Sequence, residues 1–299
     1  MTRILLTGST GQVGWELQRT LMTLGEVISV GRKVQSCSLR IDLSQPDTIR
    51  HVIREVQPDL IVNPAAYTAV DKAESEPELA MAVNGTAPGV IAEEAKLLGA
   101  GVIHYSTDYV FNGHQATPYT EQDEPDPQNI YGKTKLAGEK AIQAVDVPHL
   151  ILRTSWVYSL RGKNFLLTML KLAQERQELR VVDDQVGAPT WSRMIAESTA
   201  QILSQGTQDL IGFLNRKNGI YHLTATGQTS WYGFAKAIFE YDSKRNEHKL
   251  EKLVAISSEQ YPTPAKRPAY SSLDTEKISC TFGLVLPSWQ RNLELVLGS

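Results

Sequence analysis

Short apolar runs alternate with amphipathic stretches along the first half of the chain. Ile4-Leu5-Leu6 is apolar without alternation, as a parallel strand covered on both faces is. The next stretch places Val13, Leu17 and Leu21 on one helical face. Further strands are expected at Glu26 to Val30, Leu39 to Asp42, Asp59 to Asn63, Gly101 to Thr107 and His149 to Ser155. Helices are expected from Pro46 to Val56, with proline near the start, from about Ala80 to Leu98, and from Tyr131 to about Ala144. Strand and helix alternating at this spacing predict an α/β fold with a doubly wound parallel sheet, its ligands outside the carboxyl ends of the strands.

The second half is less regular. Helices are expected at Phe165 to Glu175, Met194 to Leu203, Ser230 to Tyr241 and Ser288 to Leu297. Strands are expected at Leu179 to Val182, Ile220 to Leu223 and Leu253 to Ile256. The expected division is a dinucleotide-binding core over 1–165 and a smaller C-terminal substrate-binding lobe over 166–299. Some segments of the lobe are expected to return to the core sheet.

Directly after the first apolar run comes Thr7-Gly8-Ser9-Thr10-Gly11-Gln12-Val13-Gly14, a G-x-x-G-x-x-G pattern between strand and helix. Gly8 permits a tight turn, Gly11 lets the backbone approach a pyrophosphate, and Gly14 lets helix and strand pack closely. The helix N-terminus offers free N–H groups and a partial positive charge to the phosphates. Gly8, Thr10, Gly11, Gln12, Val13 and Gly14 are therefore candidate cofactor contacts in a Rossmann arrangement. A glycine turn that binds nothing is the bland alternative, and the strand–turn–helix context disfavours it. Asp42 and Leu43 fall where an adenine ring would lie. Ala65, Ala66 and Tyr67 follow a strand end, where small residues let a cofactor pass close by. The second strand runs into Gly31-Arg32-Lys33 with no acid at its end. A small residue followed by basic ones leaves room for a ribose 2′-phosphate, so the expected cofactor is NADPH, with Arg32 gripping the phosphate. The alternative is a solvated turn.

Tyr131 and Lys135 stand four residues apart, one above the other on a helix. A phenol has a pKa of about 10 and is a poor proton donor or acceptor at neutral pH, whereas an ammonium beside it favours the phenolate. With 11 tyrosines in the chain the spacing alone arises readily by accident. Its position at the same sheet edge as the glycine loop, Asp42, Ala65 and Thr107 lifts it out of that class. Two features stay open. The basic, proline-stiffened loop Tyr261 to Pro268 either presents Arg267 to a phosphate or is a solvated turn, and Trp156 and Trp191 are either core aromatics or ligand platforms. His104, inside a strand, reads as a satisfied core residue.

The chain has 299 residues, 41% of them hydrophobic, and a net charge of −3 with both signs interspersed. The charge carries no nucleic-acid footprint. No apolar run approaches the roughly 18 residues of a membrane span. The sequence enters its first strand at Arg3, leaving no room for a signal peptide, and Cys37 and Cys280 form no pairing motif. A soluble cytoplasmic enzyme without nucleic-acid or membrane partners is expected. No metal-ligand motif occurs, and no catalytic metal is expected.

Six blocks carry a resemblance over nearly the whole chain: Gly11 to Leu17, Thr68 to Glu74, Tyr105 to Phe111, Tyr131 to Lys135, Arg153 to Tyr158 and Asp184 to Thr190. In them the chain resembles the extended short-chain dehydrogenase/reductases, and among those the reductases of a dTDP-linked keto-sugar. The resemblance implies reduction of the C4 ketone of dTDP-4-dehydro-L-rhamnose, with some tolerance for NADH beside NADPH. It implies that Tyr131 donates a proton, that Lys135 holds the ribose and that Thr107 bonds the sugar oxygen. It also implies that Asp108 and Trp156 contact the sugar nucleotide. A sugar-nucleotide dehydratase or epimerase of the same fold is an alternative, but relatives of the dehydratase type carry Asp-Glu after the active-site threonine, whereas Thr107 is followed here by Asp108-Tyr109. A non-catalytic subunit, such as the regulatory subunit of methionine adenosyltransferase, also resembles these reductases; the intact Thr107, Tyr131, Lys135 set speaks against that reading. Some family members dimerise through magnesium held by glutamates. Glu16 keeps one such position, but Arg193 and Gln290 correspond to the other two. The expectation is no magnesium, and a monomer or a metal-independent dimer.

Overall fold

The computed structural model describes residues 1–32 and 39–298. Lys33 and Cys37, singled out above, lie outside the described residues. Strand β1 (Thr2–Leu6) leads into helix α1 (Gln12–Leu21), followed by β2 (Gly25–Ser29), α2 (Pro46–Val56) and β3 (Leu60–Asn63). Helix α2 has proline at its start and closes on Gln57, which takes φ 50° and donates its N–H back to the Ile53 carbonyl. Next come α3 (Val70–Ala73), α4 (Pro77–Met81) and α5 (Ala87–Leu98). Residues Ala82–Thr86 join α4 to α5 as a π-helical turn, so the helix expected from about Ala80 starts earlier and widens within. Strand β4 (Gly101–Thr107), helix α6 (Ile130–Val145) and strand β5 (His149–Thr154) follow.

The rest of the chain is more broken. Its elements are β6 (Val157–Tyr158), α7 (Phe165–Glu175), β7 (Glu178–Val182), β8 (Val186–Gly187), β9 (Thr190–Trp191) and α8 (Ser192–Ser204). Then come α9 (Leu210–Arg216), β10 (Gly219–His222), β11 (Thr229–Ser230), α10 (Trp231–Tyr241), β12 (Lys252–Ile256), α11 (Glu276–Phe282) and α12 (Trp289–Leu297).

The central sheet is parallel throughout, in the order β10-β5-β4-β3-β1-β2. Successive residues of β1 feed opposite cores, which is why its run is apolar without alternation. Ile4 and Leu6 pack with Leu17 and Leu21 of α1 and Ile195 and Ile202 of α8. Leu5 packs with Ile49 and Ile53 of α2, Ile91 of α5 and Ile142 of α6. A third core, with Leu166, Trp191, Phe234, Ile238 and Leu293, belongs to the C-terminal part. There the strands pair only two by two, as β6 with β9, β7 with β12 and β8 with β11. Strand β10 nonetheless joins the edge of the central sheet, and α8, α9 and α11 cover one of its faces.

The strand expected over Leu39 to Asp42 is only an isolated bridge between Gly31 and Arg40. Beyond it the backbone turns away, because the Asp42 carboxylate accepts from the Ser44 amide at 3.0 Å and the Ser44 hydroxyl at 2.8 Å. Among the described residues no helix is long and apolar enough to cross a membrane.

Candidate active site

All six strands of the sheet are parallel, so their carboxyl ends share one edge, and strand order reverses at β1. Gly8 turns there with φ +57°, and a Cβ on it would come within 2.9 Å of Ala65 Cα beyond the end of β3. Gly14 packs so closely that its Cβ would lie 2.1 Å from the Gly8 carbonyl oxygen. No side chain caps the α1 N-terminus, where Gly11 is the capping residue and Gln12 and Val13 open the helix. This cradle suits a pyrophosphate: the backbone is bare and the first-turn amides face outward without side-chain partners. Thr10 is exposed beside it.

Ala65 and Ala66 are half-buried, and Tyr67 is clamped by its own peptide group. Its amide donates to Asn84 Oδ1 at 2.8 Å, and Asn84 Nδ2 donates to the Tyr67 carbonyl at 3.0 Å and to Thr134 Oγ1 at 3.2 Å. Asn84 lies in the π-helical turn, so the widened helix ties the strand end to α6. Exposed Arg32 stands near Asp42. Burial raises the Asp42 pKa, but the Ser44 hydrogen bonds and the Arg32 and Arg40 charges bring it below its ordinary value. Leu43 is buried in the core on that side of the sheet.

The catalytic candidates come from the end of β4 and the start of α6. Thr107 Oγ1 donates to Asp108 Oδ1 at 3.0 Å and accepts from the Tyr109 amide at 3.2 Å. Helix α6 is capped by Asn129, whose side chain accepts from the Gly132 amide at 2.8 Å. Gly132 has no room for a side chain, since a Cβ would stand 2.2 Å from the Tyr109 carbonyl oxygen. That contact sets the start of α6 against the turn after β4 and brings Tyr131 to Thr107. The Tyr109 and Tyr131 rings meet edge to face, with centroids 5.7 Å apart.

Burial pushes the Tyr131 phenol up to about 12, opposed by a hydrogen-bonding interaction with the Thr107 hydroxyl. The expectation that Lys135 lowers this pKa needs correction. The Lys135 ammonium donates to the Tyr105 carbonyl at 2.6 Å and meets His104 Nε2 at 3.2 Å, and burial brings its own pKa down to about 8. Lys135 is thus held by β4 rather than by the Tyr131 phenol. One helical turn further, Glu139 forms a buried two-pronged ion pair with Arg153 of β5, at 2.9 and 2.6 Å.

On the substrate side, burial raises Asp108 to about 7 against its hydrogen bonds with Ser271 and Thr107, and its Oδ2 is buried without a partner. Trp156 takes φ +46°, a conformation that costs a non-glycine residue free energy. Its indole stacks on Trp231 with centroids 3.5 Å apart and planes 2° from parallel. Gly187 lies against the Trp156 ring, where a Cβ would fall 2.6 Å from Cε2. Trp191 is a core residue of the lobe. Arg267 is not on a solvated turn: it is half-buried and grips Asp71 at 3.0 and 2.8 Å, while the Ala265 amide also donates to Asp71.

The family model described as RmlD substrate binding domain matches residues 1–299. A dTDP-4-dehydrorhamnose reductase of Escherichia coli (strain K12) is 50% identical over 297 residues, covering 98% of this chain and 96% of that protein. The chain belongs to the dTDP-4-dehydrorhamnose reductase family. Two solved structures of that name resemble the fold closely. One, from Clostridium acetobutylicum, has a TM-score of 0.88 and 36% identity, covering 99% of this chain and 98% of its own. The other, from Bacillus anthracis in complex with NADP, has a TM-score of 0.86 and 33% identity, with the same coverage of both chains.

The magnesium site expected of some dTDP-4-dehydrorhamnose reductases does not fit these residues. Glu16 is ion-paired with Arg19 at 3.6 Å and with Arg193 at 3.4 Å, and Arg193 and Gln290 put a cation and an amide where a hard cation needs anionic oxygen. Asn84 and Trp231 carried no signal of their own in the sequence, while Asp71, Tyr109 and His104 were visible there without the contacts they make here. The crowding of Gly187 and Gly132 was open to a reading in which each glycine marks a close approach, and the others act through contacts across long sequence separations.

Proposed function

We propose that this protein reduces the C4 ketone of dTDP-4-dehydro-L-rhamnose to dTDP-L-rhamnose, the last step of dTDP-rhamnose synthesis, with NADPH as reductant. The observation that carries the reading is Tyr131 beside the Thr107 hydroxyl, at the sheet edge that also holds the glycine cradle. The nucleotide supplies a hydride to C4 when bound. Thr107 bonds the C4 oxygen and helps localise charge there as the carbonyl is reduced. Tyr131 transfers its phenolic proton to that oxygen, which stays on C4 as the product hydroxyl, and the phenolate regains a proton from solvent. The Lys135 ammonium orients the nucleotide ribose. Asp108 offers an unpaired oxygen to a sugar hydroxyl, and the Trp156–Trp231 stack gives the sugar nucleotide a flat wall.

In this reading residues 1–165 form the dinucleotide core, and the lobe over 166–299, less the segments that join the central sheet, closes on the dTDP group. Arg267, held by Asp71, borders the substrate phosphates. The protein works in the cytoplasm as a monomer or a metal-independent dimer. At the position where a dehydratase needs a second carboxylate, Tyr109 packs its ring against Tyr131, which favours simple reduction. The test is NADPH oxidation with dTDP-4-dehydro-L-rhamnose, set beside the same assay with UDP-glucose. Oxidation only with the keto-sugar supports the reading. Conversion of UDP-glucose without net oxidation sinks it.

A further inference from the structure

Lys135 sits at the end of a buried polar chain that no catalytic role so far uses. Thr7 Oγ1, at the end of β1, lies 2.6 Å from Asn63 Oδ1 at the end of β3. Asn63 Nδ2 lies 3.2 Å from His104 Nδ1, and His104 Nε2 lies 3.2 Å from Lys135 Nζ. Asn63 and His104 are direct neighbours across the β3–β4 pairing, so the sheet itself fixes this contact. All four side chains are about 1% exposed, so they are shut off from bulk solvent.

Two proton arrangements satisfy the chain, and they differ at Lys135. In one, Thr7 donates to Asn63 Oδ1 and Asn63 Nδ2 donates to His104 Nδ1. The ring proton then lies on Nε2 and needs an acceptor, which a neutral Lys135 amine provides. In the other, the Asn63 amide is turned over. Its Oδ1 accepts from Nδ1–H, Nε2 becomes the acceptor, and a Lys135 ammonium donates to it. A neutral imidazole has one N–H, so an ammonium facing Nε2–H would leave two donors opposed. Burial, with the Lys135 and His149 charges, holds the His104 pKa well below its ordinary value, so the ring is neutral.

We propose that His104 is a positioning residue of this site: with Asn63 and Thr7 it fixes the Lys135 amine in place and sets whether that amine is charged. The proposal rests on the reductase reading for its importance to turnover, but not for its geometry. In the charged arrangement the Tyr105 carbonyl and His104 hold two of the three ammonium N–H bonds, and the third is free to serve the site. The other charges facing Lys135 are balanced. Glu139, on the same helix, favours the ammonium but is paired with Arg153 of β5, and Tyr131 on that helix is a neutral phenol. Asp108, after β4, acts on Tyr131.

The experiment is a pH titration of the Lys135 13Cε resonance in the nucleotide-free protein, assigned with Lys135→Arg and followed in His104→Leu and His104→Gln. Leucine removes the acceptor, so the Lys135 titration should fall by about one pH unit. Glutamine offers an oxygen to the ammonium and an N–H to Asn63, so it should recover most of that shift. The alkaline limb of kcat should move in the same order. A folded His104→Leu protein in which Lys135 titrates as in the parent overturns the proposal, as does a glutamine variant no closer to the parent than leucine. Should the leucine variant not fold, Asn63→Asp carries the test. A carboxylate there accepts only, holds the proton on Nδ1, and should raise the Lys135 titration; an unchanged or lowered value overturns the proposal. Because the titration uses neither nucleotide nor substrate, shifts as predicted in a protein without turnover would retire the reductase reading and keep the positioning role of His104. Normal turnover with an unmoved Lys135 would do the reverse.

Discussion

At the end of β1, Gly8 approaches Ala65 so closely that a Cβ would stand 2.9 Å from its Cα; in the lobe, Gly187 lies under Trp156, where a Cβ would stand 2.6 Å from the ring. The first absence of a side chain lets backbone meet backbone and bares amides to a pyrophosphate, a group found in every nicotinamide dinucleotide. The second makes room for the Trp156 indole, which stacks on Trp231. The two regions therefore divide the work. In the proposed reading the sheet edge binds what is common to many oxidoreductases with its main chain, and the substrate side selects with residues such as Trp156, whose positive φ is costly.

Substitutions on the two sides should therefore fail differently. Tyr131→Phe removes only the transferable proton, so kcat should fall by about 10²–10⁴-fold while NADPH titrates as before. An unchanged kcat would remove Tyr131 from the chemistry. In the lobe, Gly187→Ala forces Trp156 off its stack. The loss in kcat/KM for the keto-sugar should be about 10- to 100-fold, comparable to displacing a positioned group by an ångström, with nucleotide affinity intact. Equal losses of sugar and nucleotide binding would erase the division. Arg32→Ala tests the sheet edge at its outer rim, where the guanidinium would pair with a 2′-phosphate. NADPH preference over NADH should drop by roughly five- to a hundred-fold, from a charge-assisted contact of about 1–3 kcal/mol. A preference that survives would assign the 2′-phosphate to other residues. The smallest effect is expected where the two regions meet, at the Glu16–Arg193 ion pair between α1 and α8. Light scattering with and without EDTA should give one mass, and a dimer that dissociates on chelation would contradict the absence of a metal bridge.

The same division decided what could be read from the amino acids. In the sheet half, buried strands, a proline start and a glycine turn each leave a local mark. Pro46–Val56 and Gly101–Thr107 have the bounds their patterns imply, and so does Phe165–Glu175 beyond the sheet half. The strand expected at Leu39 shrank to one bridge because Asp42 bonds forward to Ser44. Helices α9 and α11 escaped notice because seven residues hold barely two turns of periodicity, each with only two buried positions. Tyr131 and Lys135 were visible as a spacing, but the partners of Lys135 were not. His104 reads as a core histidine, and it is one; its bond to Lys135 arises only when β4 packs against α6. Trp156 and Trp231 meet across a long stretch of chain with many elements between them, and strands of two residues carry no alternation to announce that meeting.

The account turns on a hydride delivered to C4 at the Tyr131–Thr107 edge, and isotope transfer tests that most directly. The protein should be given dTDP-4-dehydro-L-rhamnose with NADPH deuterated at the nicotinamide C4 position, each face in turn. One face should yield dTDP-L-rhamnose carrying one deuterium at the sugar C4, with one NADPH oxidised per product, and Tyr131→Phe should suppress that transfer. Product formed without label at C4 or without net NADPH oxidation, or full transfer by the phenylalanine variant, would contradict it.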